Sequence, residues 1–233
     1  MTGTVFSLSR NERLRFTDLL KSMKSEERIK GFENVLNSRT RYFSVLMENI
    51  SHAHNSSAVM RSCDCFGIQD VHLVDDNNYY PIHKDVTMGA SKWLTLKRYY
   101  KSDENSAVAL KALKDKGYRI VATTPRGDAN PLFNFDIKTG PALFVFGTEL
   151  TGISDVVMDY ADEFLTIPTT GFTQSLNLSV SVALILHHVT AGLYSSDTDW
   201  NLTDEEKEVL MLEWLIKSTP KVDLIEKRFL QTI

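Results

Sequence analysis

Ser175-Leu176-Asn177-Leu178-Ser179-Val180-Ser181 places three small polar side chains, Ser175, Asn177 and Ser179, ahead of the greasy segment Val182-Ala183-Leu184-Ile185-Leu186. The run follows Ile167-Pro168-Thr169-Thr170-Gly171. A buried helix needs one capping side chain before it turns apolar. Further polar groups there want a partner, because an unpaired buried polar group costs roughly 1–3 kcal/mol. Their chemistry would be to hydrogen-bond a ligand held at the mouth of the helix. A capped core helix that happens to be rich in serine is the plainer alternative.

Two other segments combine residue types in ways that could do chemistry. The first is Asn55-Ser56-Ser57-Ala58-Val59-Met60-Arg61. With Asn55 as N-cap, Arg61 stands about 1.7 turns along the helix, and its long side chain leans back toward the N-terminus. A helix N-terminus beside a guanidinium suits a phosphate; an ordinary cap with a surface arginine is the alternative. The second is Gly147-Thr148-Glu149-Leu150-Thr151-Gly152-Ile153-Ser154. Glycines let backbone approach a ligand closely. Glu149 would repel phosphate and the G-x-G-x-x-G fingerprint is absent, so a neutral or cationic nucleoside fits better than a phosphate. The missing fingerprint also argues against a nucleotide-dependent dehydrogenase.

Alternating elements must position these groups. Strands are expected at Tyr42 to Met47, Val71 to Val74, Leu94 to Tyr99 (an edge), Tyr118 to Ala122, Ala142 to Phe146 and Phe164 to Ile167. Helices are expected at Asn55 to Phe66, Ala107 to Lys116 and Leu178 to Val189, with Asn77 to Lys92 irregular. That alternation predicts an α/β domain with a mainly parallel sheet covered on both faces. Ligands in such sheets bind beyond the carboxyl ends of the strands. Three loops fall there: Thr123-Thr124-Pro125-Arg126-Gly127, Gly147 to Ser154, and Pro168 to Asn177. Helical extensions flank the domain over 1–40 and 196–233, leaving 41–195 for the sheet, and Thr203-Asp204-Glu205-Glu206 opens the tail helix as a capping box.

Bulk properties narrow the class. The net charge is −4, but residues 1–101 hold 15 Lys/Arg against 11 Asp/Glu, and the remainder holds 11 against 19. A polyanion binder needs only a local basic face. Arg10, Arg13, Arg15, Lys21, Lys24, Arg28 and Lys30 decorate the first helices. Cys63 and Cys65 are too few and too close for a staple, and His72, His83, His187 and His188 lack ligand spacing with cysteine or carboxylate, so no metal is expected. Met1 to Lys30 does not resemble a signal peptide, and no apolar run reaches the roughly 20 residues of a membrane span. A cytoplasmic protein is expected.

Taken together, the segments NISHAHNSSAVMRSCDCFGIQDVHLVDD, LFVFGTELTGIS and IPTTGFTQSLNLSVSVALIL, in that order, resemble the SpoU family of RNA ribose 2′-O-methyltransferases, within the SPOUT class. The helical N-terminus and Met88-Gly89-Ala90-Ser91-Lys92-Trp93 look most like the TrmH type, which methylates guanosine 18 in the tRNA D-loop. The resemblance implies a C-terminal trefoil knot and S-adenosylmethionine as cofactor. It also implies a homodimer whose sites are completed by the partner chain, and RNA, most readily tRNA, as the other partner. Ribosomal RNA as substrate, or a non-catalytic RNA-binding protein, are the alternatives. Carried over by motif, the methyl donor would meet Thr123, Gly147, Gly152, Ile167 and Leu176. The functional side chains would be Asn55, Arg61, Glu149, Ser175 and Asn177. Arg61 would hold the target phosphate and polarise the ribose hydroxyl, or pass its proton to that phosphate. Ser175 and Asn177 would orient donor or ribose, Glu149 would position Arg61 or its loop, and His54 would touch RNA. Three departures stand out: Ala53 replaces a common proline, Leu150 follows Glu149 where glycine or lysine is usual, and His187-His188-Val189-Thr190-Ala191-Gly192 stands where TrmH-type enzymes carry a cluster of arginines. That leaves Arg10, Arg13, Arg15, Arg28 and Lys30 as the expected grip on RNA.

Overall fold

The computed structural model describes residues 4–50, 52–75, 89–100, 102, 104–125 and 128–233. It divides into two compact units, Thr40–Trp200 and a second made of Met1–Arg39 with Asn201–Ile233.

Among the described residues, the larger unit is built on seven parallel strands: β1 Phe43–Glu48, β2 Asp70–Val74, β3 Thr95–Tyr99, β4 Arg119–Thr123, β5 Asn130–Pro131, β6 Ala142–Phe146 and β7 Glu163–Thr166. Their order is β3-β2-β1-β6-β4-β7-β5. β1 and β6 lie at the centre and are buried along their whole length, which is why β6 reads as an apolar run and β1 is apolar but for Ser44 and its last residue, Glu48. Side chains alternate between faces. Phe43, Val45 and Met47 point to a core shared with α3 (Ala53–Cys65) and α6 (Leu178–Tyr194). Leu46 points the other way, to a core with α4 (Asn105–Lys114) and α5 (Asp155–Tyr160).

Several boundaries differ from the sequence expectation. α3 begins at Ala53, with His52 at the N-cap and no capping side chain, so Asn55 lies inside the first turn instead of capping it. The cause is local: His52 lends its carbonyl to the N–H groups of both Asn55 (2.9 Å) and Ser56 (3.2 Å), closing the turn three residues before a cap at Asn55 would. α6 runs on to Tyr194, because Val189, Thr190 and Leu193 keep the core-facing stripe going past Val189. The Thr190 hydroxyl donates back to the Leu186 carbonyl at 2.6 Å. α5 and the two-residue β5 are additions, too short for periodicity to reveal. Most of the stretch expected to be irregular, Asn77 to Lys92, lies outside the described residues; its end forms a 3-10 turn at Ala90–Lys92.

Among the described residues, the smaller unit packs four α-helices: α1 Arg10–Lys21, α2 Glu26–Leu36, α7 Asp204–Ser218 and α8 Val222–Leu230. Ser9 and Thr203 form capping boxes with Glu12 and Glu206 at the starts of α1 and α7. Phe16 meets Phe229 at 4.9 Å, and Phe32 meets Trp214 edge-on at 5.9 Å. The two ends of the chain thus fold against each other, where the sequence reading treats them as separate extensions.

Candidate active site

β4, β6 and β7 end side by side, and their three following loops line one pocket of about 380 Å³. That volume falls within the range of small-ligand pockets. Thr123, Gly147, Gly152, Ile167 and Leu176 all line it, as do Glu149 and Ser175. Arg126 and Gly127 of the first loop lie outside the described residues.

The middle loop is shaped by backbone geometry. Thr148 and Gly152 exchange two backbone hydrogen bonds, both 3.0 Å, folding 147–153 back on itself. This brings the Gly152 carbonyl so close to Gly147 that a Cβ there would sit 2.1 Å from its oxygen. Gly152 itself has φ +73°, a left-handed conformation that suits glycine. Both glycines of GTELTGIS are therefore needed for the turn before any ligand is considered.

The loop's carboxylate has a partner: the Asn55 side-chain amide donates to Glu149 Oε1. Sequence reasoning assigns Glu149 to Arg61 or to its loop; the structure pairs it with Asn55, made available because that residue is not a cap. Asn177 does cap α6. Its Oδ1 accepts from the Ser179 N–H at 2.9 Å and from the Ser179 hydroxyl at 2.6 Å. Two of the three polar groups that open this helix thus satisfy each other, while Ser175 faces the pocket. Asn177 lies beside the pocket rather than among its lining residues. His54 and Arg61 are both exposed on α3 and stand outside that lining.

Sequence reasoning passed over Gln174, Ser181 and Ile185, which also line the pocket. Ser181 follows from the helical step of four from Asn177, a signal present in the sequence. It also passed over Glu48, which is 2% exposed at the carboxyl end of β1.

The basic residues expected to hold RNA lie in the smaller unit, and most have partners. Arg10 forms a two-pronged pair with Glu208 at 2.6 and 2.9 Å, which raises the arginine pKa and lowers that of the carboxylate. Arg13 donates to the Leu8 carbonyl at 2.7 Å. Arg15 lies over Phe229 and Arg28 over Phe32. Lys30 is exposed. Among the described residues no group of three or more His, Cys, Asp or Glu is placed to hold a metal.

Residues 42–187 match the SpoU rRNA Methylase family. The chain belongs to that family. A tRNA (guanosine(18)-2′-O)-methyltransferase of Borreliella burgdorferi is 36% identical over 213 residues, 91% of this chain and 95% of the relative. A protein of the same name from Thermus thermophilus is 33% identical over 199 residues, covering 83% and 98%. Among solved structures, the A. aeolicus TrmH/SpoU tRNA modifying enzyme superposes with a TM-score of 0.72 at 29% identity, covering 84% of this chain and 98% of that one. The pocket lies within the family-matched segment, and the helical ends beyond it are largely covered by the Borreliella relative.

Proposed function

We propose that this protein is an S-adenosylmethionine-dependent ribose 2′-O-methyltransferase acting on guanosine 18 of tRNA. The observation that carries the reading is the convergence of three strand-end loops on one pocket, with Asn55 tied to Glu149 beside it. The similar proteins bearing that activity in their names support the choice of substrate.

The pocket fits the donor chemically. Its walls combine loop backbone at Gly147 and Gly152 with apolar Ile167, Leu176 and Ile185, suited to a nucleoside with an aliphatic, sulfur-containing arm. When bound, S-adenosylmethionine supplies a sulfonium methyl. Glu149 places a carboxylate on the wall, which suits a cationic ligand. Ser175 presents its hydroxyl there, and Asn177, with its oxygen committed to the cap, keeps its amide N–H groups for donor or ribose. Arg61 holds the target phosphate and polarises the 2′-hydroxyl, or relays its proton to that phosphate. A ribose hydroxyl is a weak nucleophile, and alignment of this kind contributes up to roughly 7–11 kcal/mol.

The trefoil knot and the homodimer belong to the same reading. Support for the knot is the strand order, in which β6 and β7 flank β4, together with the sharing of one pocket by the loops that follow all three strands. Support for the dimer is the exposed apolar pair Val180 and Leu184, 45% and 44% exposed and one helical turn apart on α6, with Leu176 38% exposed just before the helix. No described helix is long and apolar enough to cross a membrane, in keeping with the cytoplasm as the place of tRNA modification.

The deciding experiment is transfer of labelled methyl to tRNA and ribosomal RNA from a strain lacking this protein, with the product mapped by mass spectrometry. 2′-O-methylguanosine in the D-loop is expected. Methylation of ribosomal RNA alone would favour the second reading, which the family's description and the missing arginines after His188 keep in view. The grip on RNA is tested separately. Neutralising Arg15, Arg28 and Lys30 together is expected to flatten the dependence of log K on log salt by roughly one unit for each phosphate they neutralise in the parent protein. Arg10→Gln is expected to change it little, because Glu208 already offsets that charge. An unchanged slope in the triple variant would remove these helices from RNA binding.

A further inference from the structure

We infer that Glu48 is a positioning residue: a buried carboxylate that fixes the far end of the 147–154 loop and thereby the shape of the donor pocket. Glu48 ends β1 on the α4 side of the sheet and is 2% exposed. Three donors converge on it. The Ser154 N–H reaches Oε2 at 2.9 Å, the Ser154 hydroxyl reaches Oε1 at 2.7 Å, and the Ser106 hydroxyl reaches Oε1 at 2.6 Å. Among the described residues no cation pairs with it.

A buried carboxylate without a cation is costly unless hydrogen bonds satisfy it, and a carboxylate only accepts. Here all three hydrogen bonds run toward it, and it sits beside the first turn of α4, where the helix dipole favours negative charge. Its principal partner is the residue that closes the catalytic loop. Ser154 follows Ile153 of the pocket lining and caps α5, accepting from the Val157 N–H at 3.2 Å. Glu48 thus clamps one end of the loop by backbone and hydroxyl at once, while the Thr148–Gly152 bridge and the Asn55–Glu149 hydrogen bond hold the middle. With the clamp removed, Gly152 and Ile153 lose their fixed position against the pocket.

This inference rests on the methyltransferase reading for its kinetic consequence, though not for its structural one. The test compares Glu48→Ala, Glu48→Gln and Ser154→Ala with the parent protein. Hydrogen exchange of amides 147–154 is followed without donor, and KM for S-adenosylmethionine, KM for tRNA and kcat are followed with it. Glu48→Ala is expected to speed exchange across the loop and raise the donor KM roughly tenfold or more, with the tRNA KM within about twofold. Glu48→Gln is expected to restore most of the donor KM, since its oxygen can accept the Ser154 N–H while its amide donates to both hydroxyls. Should Glu48→Ala fail to fold, Ser154→Ala decides: faster loop exchange and a donor KM raised severalfold are expected. Parent-like exchange and donor KM in either variant overturn the inference, as does a Gln variant no better than Ala. If the parent protein methylates no RNA, the functional reading fails, and the exchange measurement alone still judges the clamp.

Discussion

Asn55 and Glu149 are joined by an amide-to-carboxylate hydrogen bond across two elements, the first turn of α3 and the loop after β6. A hydrogen bond to a charged group contributes roughly 1.5–3 kcal/mol, or about 10- to 100-fold in an equilibrium or rate. If the pair orients the donor or ribose as a unit, removing either member should cost nearly as much as removing both. Asn55→Ala and Glu149→Ala are each expected to lower kcat/KM by roughly 10- to 100-fold, and the double variant to be little worse than the worse single. Steady-state kinetics on the two singles and the double check this. Strictly additive losses would show that the two side chains act independently and that their pairing is incidental. Gly147 adds a steric constraint to the same loop, since any side chain there meets the Gly152 carbonyl.

At the scale of elements, β2 and β3 carry an acid sensitivity. His72 is 4% exposed on β2, with its Nδ1 3.4 Å from the Tyr99 hydroxyl of β3 and no partner for Nε2 among the described residues. Burial, aided by Lys116 and Lys97, lowers its pKa from 6.5 to about 3, and burial also raises that of Tyr99 to about 12. The unfolded chain therefore takes up a proton near pH 6.5 that the folded chain refuses. The stability His72 contributes is complete above pH 6.5 and declines as pH falls from 6.5 toward 3, at up to roughly 1.4 kcal/mol per unit. His72→Phe is expected to lose about 2 kcal/mol less than the parent between pH 7 and 5, as read from urea unfolding; identical pH slopes would refute this. The sequence made the central strands plain, because Ala142 to Phe146 is an unbroken apolar run and Tyr42 to Met47 is one broken only by Ser44, each of the length a buried parallel strand requires. It also made the pocket loops plain, since their glycines and small polar groups interrupt those runs. It hid the start of α3, because Asn55 looks like a cap while His52, which fills that position, makes no capping hydrogen bond with its side chain. It hid Glu48 as well: a carboxylate at a strand end reads as solvent-facing until the neighbouring α4 and Ser154 are folded over it.

For the whole molecule, charge and exposed apolar surface lead to different expectations about partners. The four-helix unit carries 13 Lys/Arg against 12 Asp/Glu, so its basic N-terminal helices are nearly balanced by the acidic tail, and Arg10 with Glu208 is the local instance. RNA binding there would have to come from a local face and not from bulk attraction. The larger unit leaves Val180 and Leu184 bare on α6, close after the pocket-lining and partly exposed Leu176, while Arg61 stands outside the pocket of its own chain. A second copy packed on that face would bury Val180 and Leu184 and bring its own Arg61 to the pocket. Two consequences separate this arrangement from a self-sufficient monomer. Leu184→Glu is expected to give monomers by sedimentation velocity and to lose methyl transfer while staying folded. Mixing two inactive proteins, Arg61→Ala and Asn177→Ala, under conditions that exchange subunits is expected to restore about a quarter of the parent activity, because half the dimers are mixed and one of their two sites is intact. If Arg61 served the pocket of its own chain, every site in the mixed dimer would lack one residue, and mixing would restore nothing.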